Sequence, residues 1–460
     1  MLSKTQLEEI LYEALKTGGE SAEVFLEETN STQIVLEDNR IEKITNGLDA
    51  GAGIRLISGK EIYYGASTDM NVESLRKLAK TVGQSCRDGA RPHPAIDLKP
   101  TISDLPYPIK IRPHEVPIDE KVSKLELANK AARSFGDKIK QVTVRYADSN
   151  QGVTIANSEG VYVEDNRIRT RFFVNVIAAD GGVIQTGYEA PGKSCGFEFF
   201  EKYDPEKLAR LATERALMML TAPPAPSGEM PVVMSSEAGG TMVHEACGHG
   251  LEADFIAKKT SIYGNNIGKK VASELVTVID DATLAGNFGS FRFDDEGTPS
   301  QRKVLIENGI LKGFMSDRFY GKMIGVRASG NGRRESFRNK PTCRMTNTFI
   351  APGKMDPEEI INSIDRGLLV KRMGGGEVNV TNGDFVFEVS EGYLIENGKV
   401  KHPIRGAILT GNGPKVLEII DMVGKDLHFI PGVCGKYDHA PVSDAQPTMR
   451  IPKIIVGGKF

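Results

Sequence analysis

His244, Glu245 and His249 fall within one run of six residues, His-Glu-Ala-Cys-Gly-His. Two imidazoles can share a divalent metal, and such an ion lowers the pKa of a bound water to about 7. The carboxylate next to the first imidazole can then take that water's proton and drive attack on a carbonyl. The zinc-protease signature spaces its histidines four apart, on one helix face. Here the interval is five, which on a regular α-helix turns them roughly 140° apart. A shared metal therefore requires a bulged, unwound or terminated helix near Gly248 or Gly250. The bland alternative is a glycine-rich turn carrying two solvated histidines. A second His-Glu pair, His114-Glu115, follows Pro113 and has no other histidine nearby, so it reads as structural.

A catalytic zinc takes three protein ligands and keeps one position open. Glu252 and Asp254 follow the motif, and Cys434, Asp438 and His439 lie near the carboxyl end. Glu252 is three residues past His249 and could ligate if the helix continued through Gly250; a role holding an imidazole suits it equally. Cys247 would crowd the motif's own turn and reads as a small packing residue. Cys434, in PGVCGKYD, is either a thiolate ligand on a glycine-flanked loop or a buried small hydrophobe. Spacing alone favours the second.

The surrounding elements are predicted from periodicity. Leu7, Ile10, Leu11, Ala14 and Leu15 form a helical stripe stopped by Gly18-Gly19. Short alternating runs follow between residues 22 and 65, and Asn71 caps a helix with Val72, Leu75, Leu78, Ala79 and Val82 inward. A third helix spans about 119–135, more strands run from Gln141 to Ala190, and Asp204-Pro205 opens a fourth helix. The string EDNRI at 37–41 and 164–168 marks either related hairpins in two subdomains or two similar turns, and turn chemistry favours the second. VLIENGILKG at 304–313 and YLIENGKVKH at 393–402 read as Asn-Gly hairpins, and Gly374-Gly375-Gly376 as a loop.

The predicted fold is α+β: N-terminal subdomains of mixed sheet and helices, then a strand-rich C-terminal domain carrying the metal site. Its divisions are 1–90, a proline-rich connector 91–117, a central subdomain 118–220, the linker 221–231 (TAPPAPSGEMP) and 232–460. Forty per cent apolar and 26% charged residues describe a soluble globular chain. No apolar leader or membrane-length segment is present, and five scattered cysteines argue for reduced thiols in the cytoplasm. A net charge of −3 without a basic tract gives no footprint for nucleic acid.

HEACGHGLEADF, DDEGTPSQ at 294–301, GNGRRESF at 330–337, MTNTFIAPG at 345–353, GYLIENGKV at 392–400, VCGKYD at 433–438 and QPT at 446–448 occur in that order. This string of motifs resembles the TldD branch of the TldD/PmbA metallopeptidase family. The resemblance implies an HExxxH-type zinc hydrolase, with Zn2+ held by His244, His249 and Cys434 and Glu245 as the base. It further implies a cytoplasmic peptidase acting on small unfolded peptides. The expected assembly is a dimer, with a TldE/PmbA-like paralogue or with a second copy. Arg333 and Arg334 are candidate oxyanion donors, or else a surface salt-bridge cluster with Glu335. Competing readings are a zinc amidase or deacylase, a structural zinc protein with Asp438 or His439 as fourth ligand, and a non-catalytic peptide-binding subunit.

Overall fold

The computed structural model describes residues 2–89, 92–379 and 381–458, so the division drawn at 90/91 and the chain end at 460 lie outside the described residues. The fold is α+β, as the pattern predicts. Ser3 closes a capping box on the helix Lys4–Leu15, whose five apolar positions are all buried. Asn71 caps Val72–Ser85 beside it.

The short runs predicted near the amino end fuse into two long strands, Ser21–Glu37 and Arg40–Ser58. Asp38 and Asn39, at φ 46° and 69°, make the two-residue turn between them. Ser21–Glu37 also pairs antiparallel with Ile139–Asn157, from Glu23 opposite Asn157 to Glu37 opposite Thr143. One eight-stranded sheet therefore runs through both N-terminal subdomains. The helices Lys4–Leu15 and Val72–Ser85 cover one end of a sheet face, and Ile118–Arg133 and Pro205–Thr221 cover the other end of that face.

The second EDNRI copy is not a turn. Its Asp165 and Asn166 lie inside the strand Val161–Asp180, where buried Asp165 pairs with Arg167 and Arg292. Identical letters take different conformations because the first copy ends a hairpin and the second faces a packed neighbour.

In the C-terminal region Arg366–Val378, Gly228–Met234, Met449–Gly458, Ala407–Asn412 and Asp384–Glu396 pair in that order. The first pairs again with the last and closes a barrel. Gly374–Gly376 belongs to a bulged strand of this barrel and not to a loop. A Cβ on Gly376 would lie 1.9 Å from Phe387 Cδ1, so only glycine fits. Both Asn-Gly hairpins form, with Asn308, Gly309, Asn397 and Gly398 all at positive φ.

Against the barrel lies a six-stranded sheet ordered Ile310–Leu311, Arg302–Glu307, Val278–Asp281, Asn347–Ile350, His439–Gln446, His428–Gly435. Its last strand, an edge, carries Cys434. Phe25, Val153 and Ile155 on the inner face of the N-terminal sheet pack on Phe293 and Phe337, joining the two regions. Among the described residues no helix is long and apolar enough to cross a membrane.

Candidate metal centre

The motif segment leaves the barrel strand Gly228–Met234 through a 3-10 turn and two glycines. A Cβ on Gly240 would stand 2.3 Å from the Ala445 nitrogen, so glycine lets this segment lie directly on the strand His439–Gln446. A short α-turn, Thr241–Val243, opens into a π-helix over His244–Gly248 and closes as a 3-10 turn over His249–Leu251. The His249 N–H donates to the His244 carbonyl, an i→i+5 bond. That wider turn brings residues five apart onto one side, as the spacing demanded. The two imidazole centroids are 4.9 Å apart with their planes at 85°.

Each ring is held from behind by a carboxylate. His244 Nδ1 lies 2.8 Å from Asp444 Oδ1, and His249 Nδ1 lies 3.0 Å from Glu252 Oε2. With Nδ1–H committed as a donor, each Nε2 is left to face inward. Cys434 Sγ is 3.5 Å from His249 Nε2, and one donor atom from each of His244, His249 and Cys434 lies within 4.8 Å of the others. Burial opposes ionisation of this thiol, but hydrogen bonds and charge from the two imidazoles pull it down to about 5. Against burial, Glu252 and Cys434 raise His249 to about 9. The cluster is thus built for a thiolate facing two imidazoles. That donor set suits zinc.

Glu245 is half-buried beside the cluster and makes no hydrogen bond among the described residues. Burial raises its pKa, partly countered by the imidazoles. Glu252 is not among the clustered donors. It accepts from the Met345 N–H at 3.2 Å and from Lys436 Nζ at 3.0 Å, and Lys436 and His249 carry it down to about 2 despite burial. Asp254 is tied to Lys436 at 2.9 Å. Asp438 is paired with Arg344 and His439 is exposed against Glu335, so neither offers a fourth donor to the cluster. Arg333 and Arg334 are buried, not a surface cluster: Arg333 donates to the Met345 carbonyl at 2.7 Å, while Arg334 reaches Glu23 at 2.5 Å. Cys434 sits on an edge strand, not on a loop.

Sequence reasoning missed three residues that shape this centre. Asp444 orients His244 from 200 positions away, on a strand whose alternation carries no local sign of it. Lys436 ties Glu252, Asp254 and the Cys343 carbonyl together, and Arg344 donates to the Cys434 carbonyl. A rule that ligating histidines donate to carboxylates would have prompted a search for acids, without naming Asp444.

The expectation of an HExxxH-type zinc hydrolase is corrected by this geometry. The cluster is His244, His249 and Cys434; the segment supplies two donors on a π-turn, and the third comes from a strand 185 residues away. It is not the zinc-protease arrangement of two histidines four apart on one α-helix face.

Family models match along most of the chain. They are the PmbA/TldA metallopeptidase domain 1 at residues 22–86, the central domain at 111–220 and the C-terminal domain at 227–458. The chain is 39% identical to the metalloprotease TldD homolog of Buchnera aphidicola subsp. Acyrthosiphon pisum over 435 residues, covering 92% of this chain and 90% of that one. It is 28% identical to the zinc metalloprotease TldD homolog of Saccharolobus solfataricus, covering 97% and 98%. Among solved structures, TldE from Thermococcus kodakarensis shares the fold with a TM-score of 0.76 at 22% identity, covering 98% and 100%.

Proposed function

The chain belongs to the PmbA/TldD metallopeptidase family, on its TldD side, and from that premise we propose that it is a zinc-dependent peptidase hydrolysing small or unfolded peptides with little sequence selectivity. The observation that carries this reading is the donor triad of two carboxylate-backed imidazoles and a buried thiolate converging on one point. His244 and His249 would hold the ion through Nε2 and Cys434 through Sγ. Bound there, zinc supplies Lewis acidity to a carbonyl and to water.

The protein's own groups account for the rest. Glu245, with a raised pKa and no competing partner, is suited to accept a proton at its carboxylate and return it to the leaving amine. Asp444 and Glu252 fix the ring orientations and so the direction in which both Nε2 atoms point. Among the described residues the strand His428–Gly435 pairs on one side only, with His439–Gln446. Its free edge, with Val433 exposed, can pair with an extended peptide through backbone hydrogen bonds, which read no side chain. All five cysteines are free, in keeping with a reducing cytoplasm. The working assembly in this reading is a dimer, with a TldE/PmbA-like paralogue or a second copy; a fully active monomer on sedimentation would count against it.

Glu245→Gln tests the mechanism. Zinc content by metal analysis should stay at the wild-type level, while peptide cleavage falls about 10²–10⁴-fold. Unchanged turnover with zinc retained removes Glu245 from the reaction.

A further inference from the structure

Arg167, Arg169 and Arg171 alternate along the strand Val161–Asp180, so they project from the sheet face turned toward the C-terminal region. Most guanidinium groups there are neutralised. Arg167 pairs with Asp165 and Asp295, Arg292 with Asp165, Arg334 with Glu23, and Arg344 with Asp438. Arg169 and Arg333 break this pattern. They are 8% and 4% exposed, and among the described residues neither has a carboxylate within ion-pair distance. Arg169 Nε donates to the Phe288 carbonyl at 3.0 Å, and Arg333 Nη1 to the Met345 carbonyl at 2.7 Å. The two terminal nitrogens of Arg169, and Nε and Nη2 of Arg333, donate to nothing among the described residues. They are not sealed in the interior either.

Two more cations flank them. Among the described residues the Arg171 guanidinium makes no hydrogen bond or ion pair, and Lys193 Nζ donates only to the Asn287 side-chain oxygen, at 2.9 Å. Burial lowers the pKa of all four groups, and burial together with the charge of Arg169 brings Arg333 to about 9. Asp295 compensates both guanidiniums only from beyond ion-pair distance, and Arg333 lies over the Phe291 ring at 5.2 Å. Buried charge without a direct ion pair is unfavourable, and groups so displaced are concentrated where a ligand of opposite charge binds.

The position ties this cluster to the metal centre. Gly192, paired with Arg171, packs against Pro431, with its would-be Cβ 3.3 Å from the proline side chain. Pro431 is on the strand of Cys434, three residues before it, or about 10 Å along an extended chain. Met345, whose carbonyl holds Arg333, also packs on Gly248 of the motif segment.

We propose that Arg169 and Arg333, flanked by Arg171 and Lys193, form a carboxylate-binding subsite beside the edge strand that carries Cys434. It takes an acidic side chain or a free C-terminal carboxylate a few residues from the bond that is cut. Each planar guanidinium suits a carboxylate because it can offer two parallel N–H donors. This deepens the peptidase reading and rests on it: selectivity is then low for most positions and set by charge at one.

The test is binding, measured by calorimetry on the full zinc-loaded Glu245→Gln chain, so that turnover does not intervene. Three peptides share one core: a free acid, its amide, and an amide with one internal Gln replaced by Glu. The free acid or the Glu peptide should bind about ten- to a hundredfold tighter than the neutral amide. A preference for the free acid assigns the terminus, and a preference for Glu assigns a side chain. Adding Arg333→Met or Arg169→Met should erase the preference. Equal binding of all three peptides by the parent chain overturns the proposal without any further variant, as does a preference that survives both substitutions. If charge preference is present but the wild-type chain cuts none of the peptides, the hydrolytic reading fails and the subsite stands.

Discussion

At the metal centre, Asp444 and Glu252 grip the imidazoles from behind, whereas between the domains Glu23 and Glu296 meet Arg55 directly, at 2.7 Å each. Both regions are buried and rich in charge, yet they are wired differently. In the first, every partner lies on the far side of the group it holds, so the inward ends of His244, His249 and Cys434 face one another. In the second, opposite charges close on each other, as Glu23 and Glu296 do on Arg55. A functional centre differs from a structural ion network in where its free valences point, not in how much charge it buries.

The sharpest break in this comparison is Cys434→Ala. Removing one of three donors should abolish tight zinc binding and peptidase activity together, by more than the roughly 10–100-fold that a ligand's outer partner is worth. Cys86→Ala, Cys195→Ala and Cys343→Ala should keep both, because none of these thiols belongs to the cluster. Normal zinc content in the Cys434 variant would place the third ligand elsewhere.

Arg55→Met probes the other region. It leaves Glu23 and Glu296 buried beside a methionine, which should cost about 3–5 kcal/mol in denaturant unfolding. Zinc affinity should not change, since Arg55 touches no group of the centre. A variant that unfolds normally but loses zinc would mean that the two regions are one unit.

The same contrast explains what was legible in the sequence. His244, Glu245 and His249 stand in one short run, and their spacing alone demanded the interrupted helix that forms. Capped helices and Asn-Gly hairpins were equally local and equally readable. What escaped depends on pairings between distant segments. Asp444 reaches His244 only because Gly240 lets two backbones touch, and the two N-terminal subdomains share a sheet only because Ser21–Glu37 pairs with Ile139–Asn157. The second EDNRI copy misled for the same reason: tertiary packing overrode a turn-like string.

Asp444→Asn and Glu252→Gln should each weaken zinc binding about 10–100-fold while leaving all three donors in place. Competition with a chelator of known affinity measures this. Glu252→Gln also deprives Lys436 of an ion pair, so it should be the more destabilising of the two. Affinity indifferent to both substitutions would mean that the carboxylates serve packing and do not aim the rings.

The smallest effect concerns pH, and it separates the two regions by sign. Asp294, in the interdomain network, is pushed up to about 7 by burial and then by the charge of Glu296, although it accepts backbone N–H bonds from Glu296, Thr298 and Gly332. In the unfolded chain an Asp titrates near 3.9. A carboxyl with a raised folded pKa favours folding while protonated. Its contribution is therefore whole below about pH 4 and is lost as pH rises through 7. Glu252, lowered to about 2, works in the opposite sense, losing its contribution only as pH falls below the ordinary carboxylate range. Each unit of carboxyl displacement is worth about 1.4 kcal/mol, so stability slopes downward between about pH 4 and pH 7. Asp294→Asn should flatten that slope: its unfolding midpoint should fall less than the wild type's between pH 5 and pH 8. If wild type and variant fall in parallel, Asp294 does not titrate in this window, and the interdomain carboxylates are neutralised by their arginines as completely as Glu23 is.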